Sequence, residues 1–208
     1  MDSVVGIDLS GLSRATKGQT ALAQLTVEDR PRLLDQNLFQ RGQRHADATL
    51  VRWIEERGPQ VVAIDAPLTL PHGVVCIETG CPRCELGEAL YTERDVDQLA
   101  RRQGGGMPFV MLAAIAFRGI YLARKLRDRG FEVIEVYPAA AYRAMGATGK
   151  TYQERAALLA KRVGEFRGTI ADEVDAVCSA LVAVDYAASR HGGVIRGEDG
   201  EIWLTAPR

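Results

Sequence analysis

Two short apolar runs, each closing on an aspartate, constrain this chain most. Val4-Val5-Gly6-Ile7-Asp8 and Val61-Val62-Ala63-Ile64-Asp65 are rich in β-branched residues and carry no interior charge. Such runs read as strands buried on both faces in the middle of a sheet. Each run is then broken at once, by Ser10-Gly11 in the first case and by Pro67 in the second. Both strands therefore end by placing a carboxylate at a sheet edge, where a lone buried charge would be costly.

The rest of the pattern supplies layers to cover that sheet. Gln19 to Val27 alternates apolar and polar residues, which predicts a half-solvated antiparallel strand, and Arg32 to Phe39 reads as a third strand. His45 to Arg57 has helical apolar spacing and stops at Gly58-Pro59. Phe109 to Arg129 predicts a long helix, Phe131 to Val136 a strand carrying Glu135, and Tyr152 to Val163 and Asp172 to Ser189 two further helices. Gly192 to Leu204 predicts a small hairpin turning at Glu198-Asp199-Gly200. Strands interleaved with helices indicate an α/β fold, a mixed sheet flanked by helices, spanning residues 1–208 as one domain. Between about residues 71 and 106 the sequence is rich in Gly, Cys and charge, predicting an irregular insertion with one short helix from Glu93 to Arg102.

The acids give the chemistry. Asp172 and Asp175 stand at i and i+3 in the first turn of a helix and share a face. Together with Asp8, Asp65 and Glu135 they form a candidate hard-oxygen site for Mg²⁺ or Mn²⁺, suited to phosphoryl chemistry. Both Asp172 and Asp175 qualify as the ligand from that helix. Each acid taken singly has a structural explanation, as a first-turn acid or a turn cap. Their recurrence at two strand ends and one helix start is harder to explain that way.

Arg94, Asp97 and Arg101, at i, i+3 and i+7, would share a helix face on which Arg94 and Arg101 can grip phosphate, or simply form an internal ion pair. Cys76, Cys81 and Cys84 with His72 offer four ligands for a structural zinc, with free thiols as the competing reading. Cys178, inside an apolar helix, reads as a buried thiol. Twenty-six basic against 27 acidic residues leave a net charge of −1, so a nucleic-acid partner would be held by a local patch. No stretch approaches the roughly 20 apolar residues of a membrane helix. With no basic, apolar leader at Met1-Asp2-Ser3, the expected location is cytoplasmic.

Val4 to Asp8, Val62 to Leu68, Arg94-x-x-Asp97-x-x-x-Arg101, Val133 to Pro138 and Asp172-Glu173-Val174-Asp175-Ala176 resemble, in order, the motifs of the family called domain of unknown function 429. That resemblance implies a ribonuclease H-like fold and a metal-dependent nuclease acting on DNA or RNA. It implies Asp8 as the ligand shared between two metals, completed by Asp65 and by Asp172 or Asp175, with Glu135 on the second metal or orienting water. The cysteine-bearing insertion departs from the motif. Two other functions compete. Gly6-Ile7-Asp8-Leu9-Ser10-Gly11 also resembles the first phosphate loop of actin-like ATPases, and a non-catalytic binding module could keep the same fold.

Overall fold

A computed structural model of the chain describes residues 2–10, 19–39, 46–75, 92–103, 107, 109–147, 151–164, 166, 168–190 and 192–206. Its centre is the pair of apolar runs. They form β1 (Ser3–Asp8) and β4 (Val61–Asp65), which lie side by side and parallel. β2 (Thr20–Thr26) pairs antiparallel with β1, and β3 (Leu33–Phe39) antiparallel with β2. On the other side β5 (Glu132–Val136) runs parallel to β4. The terminal hairpin, β6 (Gly193–Gly197) and β7 (Gly200–Leu204), joins the same sheet through Val136 and Trp203. The order is β3-β2-β1-β4-β5-β7-β6, a mixed sheet of seven strands.

Helices cover both faces because the central strands are apolar on both. α1 (Ala46–Arg57) and α4 (Phe109–Arg127) bury Leu50, Ile54, Leu122 and Leu126 against Val5, Ile7, Val62 and Ile64. α7 (Ala171–Ala187) buries Val174, Val177 and Leu181 against Val4, Ala63 and Ile134 on the opposite face. Gly6 permits this contact. A Cβ there would stand 2.1 Å from the Ala180 nitrogen and 2.2 Å from the Ala176 oxygen, so any side chain would push the helix off β1. Cys178 is a buried free thiol in α7, as expected.

Two expectations are corrected. β2 is not half-solvated: all seven residues are buried. Leu22 packs on the α1/α4 side and Ala21, Ala23 and Leu25 on the α7 side, while β3 shields the outer edge. And where no helix is expected between Val136 and Tyr152, Pro138 opens the short helix α5 (Pro138–Ala144), since proline suits the first turn, where its missing N–H is not needed. Between β4 and α4 lie α2 (His72–Val75) and α3 (Asp95–Arg102). α6 (Tyr152–Val163) follows α5, its start closed by a Thr151–Glu154 capping box. Cys76, Cys81, Cys84 and the triple glycine 104–106 lie outside the described residues, and the zinc expectation with them.

Candidate functional site

The site begins with register. Asp8 pairs directly with Asp65 across two parallel strands, so their side chains leave the sheet on the same face, one strand spacing apart, about 4.8 Å. Burial holds the Asp8 carboxyl well above the usual aspartate range, and repulsion from Asp65, Asp175 and Asp172 raises it further. Asp65 is raised in the same way, by burial first and then by Asp175 and Glu135. No cation or hydrogen-bond donor among the described residues offsets either shift.

α7 brings the other two acids. Its close seat on β1 at Gly6 aims the first turn of the helix at the strand ends. Asp172 accepts a hydrogen bond from the Gln19 amide at 2.6 Å, and Asp175 from the Tyr142 hydroxyl at 2.8 Å, with Arg155 3.7 Å away. Burial nonetheless keeps the Asp175 carboxyl raised. Asp175 acts on both Asp8 and Asp65, whereas Asp172 acts on Asp8 alone, so Asp175 faces the pair more fully.

Glu135 has a different setting from the one expected. In the β4–β5 register it pairs with Ile64, while Val136 pairs with Asp65, so its side chain leaves the sheet on the face opposite the two aspartates. There it accepts hydrogen bonds from the Leu68 amide at 2.7 Å and from two nitrogens of Arg94, at 2.6 and 2.8 Å.

Arg94 forms the internal ion pair with Asp97, at 2.7 Å, the alternative to gripping phosphate. It is the residue before α3 and only 1% exposed. Its contacts to Glu135, to both oxygens of Asp97 and to the Thr69 hydroxyl occupy all five guanidinium donors. A phosphate could be gripped there only by displacing a carboxylate. Arg101 lies nearer the surface and is held by both oxygens of Glu93. The hairpin completes this side, since Asp199 accepts from the Asp95 and Val96 amides at the start of α3.

Three residues with no sequence signal support the site. Tyr142 and Arg155 hold Asp175 from α5 and α6. Arg118, on α4 and 5% exposed, donates to the Ser10 carbonyl, the Thr20 hydroxyl and Asp47, anchoring the chain beyond Asp8.

Asp8 and Asp65 repel each other, open onto a crevice and face no cation among the described residues, a setting that fits a divalent ion with hard oxygen ligands. As these side chains stand, no three His, Cys, Asp or Glu among the described residues converge into a closed metal cage. Asp8 and Asp65 would hold the ion, with Asp175 or Asp172 turning in from α7. His72, in α2, is the one described member of the expected zinc set.

Asp8, Asp65 and Glu135 line a crevice of about 200 Å³ at the carboxyl ends of β1, β4 and β5. Leu9, Pro67, Leu112, Ile115, Tyr137 and Ile202 line it together with Asp8, Asp65 and the Arg94 cluster. Among the described residues no helix is long and apolar enough to cross a membrane.

Similar structures share this arrangement of strands. A Thermus thermophilus RuvC bound to a Holliday junction substrate is 14% identical, with a TM-score of 0.54 over 95% of this chain and 99% of that one. A second Thermus thermophilus RuvC structure is 15% identical, with a TM-score of 0.53 over the same shares. At this identity the likeness establishes the fold, which is ribonuclease H-like. No curated protein matches the sequence. A family profile, in contrast, matches residues 6–195, from the middle of β1 into β6. The chain therefore belongs to the family described as Protein of unknown function (DUF429).

Proposed function

We propose that this protein is a Mg²⁺- or Mn²⁺-dependent nuclease that hydrolyses phosphodiester bonds in nucleic acid. The observation that carries the reading is the Asp8–Asp65 pair, in register at the ends of two central strands and without a counter-charge among the described residues. The ribonuclease H-like fold supports it. Because the similar RuvC structure holds a Holliday junction substrate, branched DNA is the first substrate to try.

Asp8 and Asp65 would hold the ion from the sheet and Asp175, the stronger of the two helix candidates, from α7. When bound, the ion supplies charge neutralisation at the phosphate and makes water a better nucleophile near neutral pH. The chain's own residues fix the geometry. Tyr142 and Arg155 set the Asp175 rotamer, and Arg118 fixes the Ser10 carbonyl just past Asp8. Arg94 and Glu135 fix the backbone at Leu68 and Thr69, just past Asp65. Neither arginine needs to touch substrate to matter.

The test is calorimetric titration of Mn²⁺ into wild type and Asp8→Asn, with cleavage of labelled single-stranded, duplex and four-way DNA and of RNA in the same samples. Metal binding and cleavage that both vanish in Asp8→Asn support the reading. Metal binding with stabilisation by ATP and no cleavage of any nucleic acid would replace it with a phosphate-binding ATPase. No metal binding at all would leave a non-catalytic module.

A further inference from the structure

Strand order sets what lines the crevice along its length. Asp8 and Asp65 stand at the ends of β1 and β4, and Tyr137 and Ile202 come from the β5–β7 end. Leu112 and Ile115 from α4, with Pro67 and Met107, add apolar lining. Its volume of about 200 Å³ lies below that of drug-sized pockets and suits one small group.

The charged residues at that end decide what can fill it. Arg94 would attract phosphate if it were free, but its donors are spent on Glu135, Asp97 and Thr69. Both carboxylates are in turn tied to Arg94. Among the described residues that end therefore presents no unpaired charge and suits an uncharged, largely flat group that gains from face contacts with apolar side chains. One polar atom is left over. The half-buried Tyr137 lines the crevice, and its hydroxyl has no hydrogen-bond partner among the described residues. It can serve one donor or acceptor on the edge of such a group.

We propose that the β5–β7 end of the crevice is a subsite for one unstacked nucleobase, covalently adjacent to the phosphate placed at Asp8 and Asp65. This rests on the nuclease reading above. The base lies between the α4 side chains and Ile202, with the Tyr137 hydroxyl on its edge. A base already unpaired at a branch or in a single strand enters without the cost of leaving a stack, so the subsite favours such substrates over continuous duplex. It also gives the enzyme a base preference at one position next to the cut.

Binding is measured with the full chain in Ca²⁺, using single-stranded and four-way DNA carrying 2-aminopurine or an abasic site at each position near the mapped cut. Cleavage is measured separately in Mn²⁺. In wild type, one position shows a 2-aminopurine fluorescence change on binding, and an abasic site there weakens binding by roughly tenfold, the scale of burying one small apolar face. Leu112→Trp, which fills the crevice from a half-buried position, abolishes both effects. Tyr137→Phe, which removes only the hydroxyl, narrows the base preference at that position and serves if the tryptophan variant fails to fold. Cleavage that persists in wild type with no position sensitive to base removal overturns the subsite and leaves the nuclease reading standing. Absence of nucleic-acid binding and cleavage altogether overturns both.

Discussion

Two groups of buried carboxylates share the crevice and differ in one respect. Asp97 and Glu135 face Arg94, with hydrogen bonds from 2.6 to 3.1 Å using four of the five guanidinium donors. Asp8 and Asp65 face each other and the acids of α7, and every influence on them raises their carboxyls. The first group is complete within the protein and so belongs to the architecture, holding Leu68, Thr69 and α3 together. The second has no partner cation among the described residues, which is why we propose that it takes an ion from outside. Acid clusters look alike in a sequence, and the presence of a built-in cation separates them.

The widest expected separation is in catalysis. Asp8→Asn should lower cleavage by roughly a thousandfold or more, about 4 kcal/mol of transition-state stabilisation, while the protein melts no lower than wild type in chelator. Equal cleavage by the variant would erase the distinction. For the matched cluster the order reverses. Arg94→Ala leaves two carboxylates buried without a partner and should destabilise by about 3–5 kcal/mol in chemical denaturation. A loss below about 1 kcal/mol would show that the cluster is wetter or looser than its geometry.

Metal linkage gives the next effect. Mg²⁺ at a hundred times its dissociation constant should stabilise wild type by about 2.7 kcal/mol and leave Asp8→Asn unmoved, read by thermal melts. Glu135→Gln should keep that metal response, because Glu135 serves Arg94; losing it would return Glu135 to the ion.

The smallest effect is on pH. Folding raises the Asp8 and Asp65 carboxyls above their unfolded value, so the folded state favours their protonated forms. Their contribution to stability is full below about pH 4, the unfolded aspartate range, and is lost as pH rises through the raised folded values. In chelator, Asp65→Asn should therefore gain on wild type as pH rises from about 4 toward neutrality, and Mg²⁺ should close the gap. A gap that narrows with rising pH would contradict the repulsion.

Much of the fold was legible locally. The bounds of β4 and α6 match the expected runs, and those of β1, α1, α3, α4 and α7 differ by one or two residues. Periodicity and breakers encode such elements in consecutive residues. Partly legible was the site. The strand-end aspartates could be singled out, but Glu135 and Arg94 stand 41 residues apart and nothing local shows that they pair. Nor could spacing show that Tyr142 and Arg155 attend Asp175, or that the terminal hairpin joins the main sheet and caps α3 through Asp199.

By itself, then, the sequence determined the apolar central strands, the acids at their ends and the helices that cover them, because burial of consecutive side chains sets local structure. Tertiary structure alone decided which acids are satisfied. That depends on the parallel register that sets Asp8 beside Asp65 and turns Glu135 to the opposite face, and on an arginine delivered to Glu135 from a distant segment. A carboxylate's charge becomes a structural tie or a demand for an ion only when its neighbours in space are known.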